Sequence, residues 1–472
     1  MNKRIVESYK NKLAHEEGFV VKRGAELKIA LCYPNTHAIA MANLGMHTMY
    51  ELFNRIPEVS CERVFLPDAA DLKEYEKSRT PLLSHETQTP VRDFDMVAFS
   101  ISFETDYLNM ARMLQLSGIP VWASERNHFH PLVIMGGAAS FLNPEPIADF
   151  TDVIAVGEGE ILVHQLVDAI LEQGSKENIL LTLAGIGRGF YVPSLYDVVY
   201  NEDGTAFDYI PNAEGVPRRV GRALSAVNPK EGTLRRAMKR GETELTEFLK
   251  SQDVFCPSTS VWSPGAEMGG RLLVEISRGC SQGCRFCWAG YNYYPPRVVP
   301  ARDILAKAAE WRSKTNKIGL VSTAVCDHPE ISTILSELRA MDYRITVSSL
   351  RLDQISDELL DALVESKDQQ IAVAPETGSD RLRRVINKNL TNDEIVDICG
   401  SVFDRGMLTI KLYVMVGLPT ENQEDLDEIF VLAARIKDRM LEAGKLFGRA
   451  GKIIVSLNGF VPKPNTPLQW DA

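Results

Sequence analysis

Three cysteines stand close together in the second half of the chain, directly after an apolar, strand-like run. Cys280, Cys284 and Cys287 have a C-x3-C-x2-C spacing on a glycine-containing turn. Thiolates are the ligands of iron–sulfur clusters, and an ordinary cubane cluster needs four of them. Three thiolates would ligate three irons and leave the fourth iron open to another ligand. Cysteines that are only small buried side chains have no reason to cluster in this way, so the spacing predicts an iron–sulfur site.

The segments around and after these cysteines alternate between strands and helices, which is the pattern of parallel α/β folds. Apolar, β-branched runs predict six strands, at 272–277, 317–325, 344–351, 369–379, 409–421 and 451–462. Amphipathic spacing predicts five intervening helices, at 301–314, 330–341, 356–366, 391–406 and 424–444. Enzymes built on parallel α/β barrels carry their chemistry at the carboxyl ends of the strands. The candidate site residues are therefore those that follow each predicted strand.

The cysteine spacing, with the aromatic Phe286 just before the last cysteine, resembles the radical S-adenosylmethionine (radical SAM) superfamily. The resemblance implies that residues 271–472 form the partial (β/α)6 barrel of that family and that the cysteines bind a 4Fe–4S cluster. It also implies that the open iron chelates SAM and that reduction of the cluster cleaves SAM to a 5′-deoxyadenosyl radical. Such a reaction requires a substrate and an electron donor such as flavodoxin or ferredoxin.

The same resemblance implies roles for residues at the strand ends. Gly417 and Glu421, in the segment LYVMVGLPTE, are similar to the adenine-binding segment G-x-I-x-G-x-x-E of the family. Glu376 is predicted to accept hydrogen bonds from the ammonium or ribose hydroxyls of SAM, and the alternative is a salt bridge to Arg351 or Arg381. The other predicted cofactor-binding residues are Phe286, Ser322, Thr323, Ser349, Arg351 and Ser379.

Cys326 follows the second predicted strand of this domain and would lie at the open face of a barrel. It is a candidate catalytic residue, as a hydrogen-atom donor or acceptor, and the alternative is an ordinary buried or loop cysteine. Asp327 and His328 come next, but the spacing of the three residues matches no standard set of metal ligands. Glu376 is the second candidate catalytic residue.

Residues 27–175 also alternate between strands and helices, and residues 1–26 before them are predicted to be a leading helix followed by a polar connection. Strands are predicted at 28–33, 61–67, 95–103, 131–137 and 152–160, and helices at 40–56, 105–118 and 161–173. This order predicts a doubly wound, Rossmann-like parallel sheet, in which ligands lie outside the carboxyl ends of the strands. Residues 176–270 are predicted to be a linker region, with a hairpin that turns at 203–204 and a charged helix at 233–253.

The first α/β domain resembles the cobalamin-binding-type domain that precedes the catalytic domain in many radical SAM proteins. The resemblance rests on the strand order, on the NLG tripeptide at 43–45 and on the GG…NPEP…VGEGE succession at 136–160. Classical cobalamin domains have D-x-H-x-x-G after the first strand, with the histidine as the lower cobalt ligand. The loop NTHAIA at 35–40 places His37 there but lacks the acid and the glycine. Cobalamin bound through His37, cobalamin bound without a histidine, and a domain without cobalamin all stay open.

These alternatives lead to three functions. If cobalamin is bound, the resemblance implies methylation of an unactivated carbon. Without cobalamin, the radical would drive a rearrangement, a thiolation or the modification of a tRNA or peptide. A third class is a non-catalytic iron–sulfur protein that binds a partner, and it predicts no cleavage of SAM.

The composition excludes several classes of protein. The chain has 472 residues and a formal net charge of −11, so it has no global attraction to nucleic acid or anionic membranes. It has no apolar run long enough to span a bilayer and no secretory signal, which predicts a cytoplasmic protein. The substrate class stays open among peptides, RNA, lipids and small molecules.

The segments at 374–388 and 460–467 resemble an uncharacterised subfamily of radical SAM proteins with a cobalamin-type domain. Members of that subfamily commonly continue past the second segment. The chain ends at Ala472, so we expect either a short member or a truncated one.

Overall fold

The computed structural model describes residues 2–224, 255–348, 350–366 and 370–471. Two sequence-based predictions, the helix at 233–253 and the site residue Ser349, lie outside these ranges. The chain divides into two compact units. The first comprises Met1–Ala226 with Pro257–Gly270, and the second comprises Val227–Cys256 with Arg271–Ala472.

The first unit is built around a six-stranded sheet with the order β2-β1-β3-β4-β5-β6. Its strands are β1 (Leu27–Tyr33), β2 (Val59–Phe65), β3 (Met96–Ser100), β4 (Leu132–Gly136), β5 (Val153–Ala155) and β6 (Phe190–Tyr191). All neighbours are parallel except β5 and β6. Strands β2 and β3 are buried along their whole length, as expected for a sheet covered on both faces. The order reverses between β1 and β3, which is where ligands bind in sheets of this type.

Helices cover this sheet. They are α1 (Lys3–Leu13), α2 (His37–Ala40), α3 (Leu44–Arg55), α4 (Ala69–Ser78), α5 (Tyr107–Ser117), α6 (Ala138–Leu142), α7 (Gly159–Glu172) and α8 (Lys176–Gly185). The single helix predicted at 40–56 is in fact the two helices α2 and α3. The break occurs because Asn43 caps α3: its side-chain oxygen accepts a hydrogen bond from the backbone N–H of Met46 at 3.0 Å. The NLG tripeptide therefore marks a helix start.

The segment predicted to be a linker folds largely with the first unit. Helix α8 and strand β6 belong to it, and Phe190 and Val192 are fully buried. The predicted hairpin is present as β7 (Tyr196–Tyr200) and β8 (Ala206–Pro211), which pair antiparallel. Gly204, in the turn, has a φ of +82°, a conformation that glycine adopts without strain. Because apolar side chains of this segment are buried, the segment is part of the core of the first unit.

The second unit contains six parallel strands in two groups of three. The first group is β9 (Leu272–Glu275), β12 (Lys317–Val321) and β13 (Arg344–Val347), and the second is β14 (Ile371–Glu376), β15 (Thr409–Val416) and β16 (Lys452–Gly459). Each strand pairs in parallel with its sequence neighbour within its group. A short antiparallel pair, β10 (Ser277–Arg278) with β11 (Arg297–Val298), flanks the cysteine segment. The predicted α/β class and the six predicted strands are confirmed.

The helices of the second unit separate these strands. They are α9 (Trp288–Asn292), α10 (Ala301–Trp311), α11 (Ile331–Ala340), α12 (Asp357–Glu365), α13 (Asp380–Val385), α14 (Asn392–Asp404) and α15 (Gln423–Leu446). The short helices α9 and α13 are additions to the predicted set. Across the described parts of both units, no helix combines the length and the apolar character that crossing a lipid bilayer requires.

Candidate functional site

The three cysteines lie on a tight loop between β10 and α9. Cys280, Cys284 and Cys287 are half-buried and form no disulfide. The loop begins at Gly279, which has a φ of +88°, and a Cβ there would lie 2.3 Å from the backbone oxygen of Tyr293. Only glycine fits such a position. The backbone N–H of Cys287 donates to the carbonyl of Cys284 at 3.1 Å, which keeps these two thiols on one turn.

The turn that follows α13 holds this loop in place. The Asn387 side-chain amide donates to the carbonyl of Gly283 at 2.8 Å. Arg285 donates its backbone N–H to Ile386 at 2.9 Å and a guanidinium N–H to Val385 at 2.6 Å, both to backbone oxygens. Asn387 has a φ of +57°, a conformation that asparagine tolerates better than most residues. The RLRRVINK segment therefore braces the cysteine loop from the outside.

Burial disfavours the thiolate form of two of the three cysteines. Burial raises the pKa of the Cys280 thiol. Burial also raises the pKa of the Cys284 thiol to about 11, while the nearby Lys388 ammonium acts in the opposite direction. Iron ligation needs thiolates, so cluster binding must release these protons. Three free thiols on a braced loop fit the ligand set of a cluster with one open iron.

Phe286 is partly buried and packs against a small apolar core. Leu382, Ile386, Leu418 and Leu468 form this core. The ring therefore anchors the cysteine loop to α13 and to the segment after β15. Its predicted contact with a bound cofactor stays a prediction.

Ser322 and Thr323 follow β12 and tie that strand end to the start of the cysteine loop. The hydroxyls of Ser322 and Ser277 lie 2.5 Å apart, and Ser322 Oγ accepts from the backbone N–H of Ala324 at 2.9 Å. The Thr323 hydroxyl donates to the carbonyl of Gly279 at 2.5 Å. These hydroxyls position the loop that would carry the cluster, and contacts with SAM stay a prediction for both residues.

Arg351 follows β13, and two carboxylates hold its guanidinium. Its guanidinium donates to Asp327 and to Asp353. The Cys326 thiol lies 3.7 Å from the carbonyl of Arg351, and burial raises the pKa of that thiol to about 11. Cys326 is therefore a thiol, not a thiolate, at neutral pH, as a hydrogen-atom donor must be. Arg351 has its charge compensated by these carboxylates.

His328 serves the backbone and is not available as a ligand. Its Nδ1 accepts from the backbone N–H of Glu330 at 3.1 Å, so the proton of the neutral ring is on Nε2. That Nε2 lies 2.8 Å from the carbonyl of Val299, to which it donates. Burial lowers the pKa of His328 to about 4, which keeps the ring neutral. These bonds fix the turn after Cys326.

Glu376 ends β14 in a strained conformation. Its φ is +67°, in a region that costs a non-glycine residue about 1–3 kcal/mol and that is common at functional sites. Its carboxylate accepts from the Lys388 ammonium at 2.8 Å. The expected alternative partners were Arg351 and Arg381, but the first pairs as described above and the second pairs with Asp425. Lys388 is therefore the residue that places this carboxylate.

Ser379 caps helix α13 and does not present a free hydroxyl. Its oxygen accepts from the backbone N–H of Leu382 at 3.1 Å, and its hydroxyl donates to Asp425. Both interactions hold the turn after β14. A direct contact with SAM, as predicted for Ser379, stays a prediction.

Gly417 and Glu421, which follow β15, combine open space with an unsatisfied hydrogen-bond acceptor. Gly417 has a φ of +83°, and apart from its two chain neighbours no described residue comes within 4 Å of the place where a Cβ would be. One carboxylate oxygen of Glu421 accepts the backbone N–H of Gly417, and the other oxygen is buried without a hydrogen-bond partner among the described residues. An open glycine beside an unsatisfied acceptor fits a planar, hydrogen-bonding ligand such as adenine.

Two glycines of the first unit have protein atoms at the place where a side chain would be. A Cβ on Gly137 would lie 2.5 Å from the carbonyl oxygen of Ile101, and one on Gly157 would lie 2.5 Å from that of Ala223. These glycines allow neighbouring loops to pack closely. At these two positions the space beside the backbone is filled by the protein and is not available to a bulky ligand.

His37 follows β1, as predicted, but it is the first residue of α2 and belongs to a buried polar cluster. Its Nε2 is 2.7 Å from a carboxylate oxygen of Glu16. The acid that the loop sequence lacks is thus supplied by the segment after α1. Arg63 and His85 complete the cluster around Glu16, at 2.7 and 3.3 Å from its second oxygen. Burial lowers the pKa of His85 to about 4.

Sequence reasoning missed Glu16, Arg63 and His85. The only local signal was a pair of charged residues, Glu62 and Arg63, inside an otherwise strand-like run. Buried charged residues are rare unless they are paired, so this pair indicated partners elsewhere in the chain without identifying them.

Comparisons with known proteins match both units. Residues 45–193 match the family described as radical SAM proteins, N-terminal, and residues 274–433 match the radical SAM superfamily. An uncharacterized protein of Methanocaldococcus jannaschii, MJ0966, is 26% identical over 443 residues, which are 93% of this chain and 79% of that protein. The threonylcarbamoyladenosine tRNA methylthiotransferase MtaB of Aquifex aeolicus is 25% identical over 181 residues, 36% of this chain and 44% of that protein.

Solved structures show a similar fold. The cobalamin-dependent SAM radical enzyme OxsB with aqua-cobalamin bound is 14% identical, with a TM-score of 0.52 over 98% of this chain. The same enzyme with aqua-cobalamin and SAM bound is 15% identical, with a TM-score of 0.50 over 89% of this chain. This chain spans 64% and 55% of those two chains, respectively.

Proposed function

Because this chain carries a radical SAM domain behind the N-terminal domain of radical SAM proteins, we propose that it is an enzyme that cleaves SAM reductively. The observation that carries the proposal is the set of three free thiols on a loop braced at the carboxyl ends of parallel strands. When bound, a reduced 4Fe–4S cluster supplies the electron that cleaves SAM to methionine and a 5′-deoxyadenosyl radical.

Different residues of the second unit would hold the cluster and SAM. Cys280, Cys284 and Cys287 ligate the cluster. Gly417 and Glu421 receive the adenine, since one offers open backbone and the other an unsatisfied carboxylate oxygen. We assign the Glu376 carboxylate to the polar groups of SAM, with Lys388 as the residue that positions it. Cys326 is the candidate hydrogen-atom donor to a substrate radical.

The proposal extends to the partners that this chemistry needs. An electron donor such as flavodoxin or ferredoxin would reduce the cluster, and the reducing conditions of the cytoplasm would preserve both cluster and free thiols. The substrate is a peptide, RNA, lipid or small molecule. The match to a tRNA methylthiotransferase covers 36% of this chain, so it does not favour RNA over the other classes.

Cobalamin-dependent methylation is the second candidate. The strand order of the first unit favours it, because the order reverses between β1 and β3, where such sheets bind ligands. His37 belongs to the polar cluster around Glu16, and its Nε2 lies 2.7 Å from a carboxylate oxygen of that residue. We therefore propose that any cobalamin in this protein is bound without His37.

Anaerobic reconstitution with iron, sulfide and hydroxocobalamin, followed by gel filtration, tests both candidates. We expect the broad absorption of a cluster, and 5′-deoxyadenosine with methionine after dithionite and SAM are added. A cluster without SAM cleavage would contradict the proposal and favour a non-catalytic iron–sulfur protein. Cobalamin bands that stay with the protein would favour methylation, and their absence would favour a cobalamin-free reaction.

Replacing Glu376 by glutamine should weaken SAM binding about tenfold, the size of one charge-assisted hydrogen bond. Equilibrium dialysis of SAM with the reconstituted protein measures the effect. The matched control is Lys388→Met, which removes the ion pair but keeps the carboxylate. We expect it to weaken binding less. An unaltered affinity in Glu376→Gln, or equal losses in the two variants, would assign Glu376 to structure.

A further inference from the structure

The first unit contains three metal-ligand side chains that no part of the radical chemistry uses. Glu16, His37 and His85 come from three separate segments: after α1, after β1 and after α4. Their ligand atoms all lie within 4.8 Å of one another. The side chains of Glu16 and His85 are 1% exposed and that of His37 is 13% exposed. The fold thus gathers two imidazoles and a carboxylate at one buried point.

An unsatisfied atom in this cluster points to a ligand. His85 Nε2 is buried, and no described atom forms a hydrogen bond with it, although it lies 3.3 Å from a carboxylate oxygen of Glu16. The backbone that carries this ring is held by a hydrogen bond from the His85 N–H to the carbonyl of Arg63 at 2.7 Å. Buried polar atoms without partners are uncommon and costly. A metal ion bound at Nε2, with the ring proton on Nδ1, would satisfy this atom.

The spacing agrees with metal coordination. Two ligands at about 2.05 Å from a tetrahedral zinc ion are about 3.3 Å apart. The distance between His85 Nε2 and the Glu16 oxygen has this value. His37 Nε2 lies closer, at 2.7 Å from the other oxygen, because it forms a hydrogen bond there. This bond would be exchanged for a bond to the metal.

The charges around the cluster favour a cation. Arg63 is fully buried between two carboxylates: it donates to Glu16 at 2.7 Å and to Glu86 at 2.6 Å. Two acidic side chains thus share one guanidinium, so the cluster has one more carboxyl group than guanidinium groups. The Arg63 bond also orients the Glu16 carboxylate, as partners of metal ligands commonly do.

We propose that Glu16, His37 and His85 bind one divalent transition-metal ion of the Zn²⁺ type. Two imidazoles and a carboxylate are a common zinc ligand set, and three protein ligands leave a position open. A cavity of about 550 Å³ lies beside His37 and His85, and Lys12, Asp68 and Asp71 also line it. The open position thus has room for a small polar ligand. This site is independent of the radical chemistry, and a metal ion held by His37 agrees with cobalamin being bound without this residue.

Zinc binding is best measured in the full chain with Cys280, Cys284 and Cys287 replaced by alanine, because these thiolates would themselves bind Zn²⁺. After treatment with a chelator, we expect one Zn²⁺ per chain with a Kd of about 1 µM or tighter. His85→Ala should weaken binding about 100-fold or more, since even the outer partners of metal ligands contribute 10- to 100-fold. The matched control is the exposed His128, whose replacement by alanine should change nothing.

A second histidine variant and a second metal ion test the same site. If His85→Ala fails to fold, the more exposed His37→Ala should show the same loss of affinity. Co²⁺ added in place of Zn²⁺ should give the visible absorption of a low-coordinate ion, and His37→Ala should abolish it. Absence of Zn²⁺ binding in the parent, or equal affinity in the parent and the histidine variants, would overturn the proposal.

Discussion

Replacing any one of Cys280, Cys284 or Cys287 by alanine is expected to reduce SAM cleavage to the rate seen without protein. The loss should be on the order of 1,000-fold or more, because ligands of one cluster act as a unit. For the same reason, each single variant should be as inactive as the triple variant. The measurement is 5′-deoxyadenosine formed per chain after anaerobic reconstitution, together with the iron content and the absorption spectrum.

The structure offers two matched controls among the other free cysteines. Cys399 is fully buried in α14, and Cys326 is half-buried beside the carbonyl of Arg351. Cys399→Ala should keep both the cluster and SAM cleavage. Cys326→Ala should keep the cluster and SAM cleavage but lose product if Cys326 is the hydrogen-atom donor. Unchanged turnover in a reconstituted variant of the loop cysteines would refute the proposed function.

The parts of this site that are local in sequence could be predicted. The C-x3-C-x2-C spacing and the strand–helix alternation extend over short windows, and the periodicity of apolar residues reports which faces are buried. The structure accordingly has strands at all six predicted places of the second unit, all of them shorter than predicted. Ser322 and Thr323, for example, were predicted inside a strand but lie just beyond its observed end, where the candidate site residues are expected.

The partners of the site residues could not be predicted from the sequence. Glu376 pairs with Lys388, not with Arg351 or Arg381, because the turn after α13 returns to the end of β14. Which of several nearby cations meets a carboxylate depends on where a turn ends, and periodicity does not specify that. The hydroxyls of Ser322 and Ser379 are likewise used by neighbours that come from other segments.

The polar cluster of the first unit depends even more on long-range contacts. Glu16 lies in a segment that the sequence predicts to be a polar connection, yet its side chain is buried against Arg63, 47 residues away. Amphipathic pattern assigns such a residue to the surface. Only the packing of the N-terminal segment on the sheet reveals that the two charges are buried together.

Arg63→Met should destabilise the first unit by about 3–5 kcal/mol, because it leaves two buried carboxylates without their cation. Methionine fills a similar volume, so the loss reports the charge and not a cavity. Native-state hydrogen exchange of the amides of β1 and β2, measured with a chelator present, gives the free energy of opening. The matched control is Arg55→Met, which removes an exposed ion pair with Glu51 and should cost less than about 0.5 kcal/mol.

A double variant distinguishes two contributions to the loss of stability: the buried carboxylates left without a cation, and the lost contacts of the Arg63 guanidinium. In Arg63→Met with Glu86→Met, one of the two carboxylates is also removed, and apolar groups replace a buried ion pair. Such replacements are often neutral, so the double variant should recover part of the loss. If it is instead less stable than Arg63→Met by the full cost of Glu86→Met alone, the two residues are not coupled. The guanidinium would then stabilise the sheet through its contacts with Met41 and Tyr50, and the buried carboxylates would be neutral.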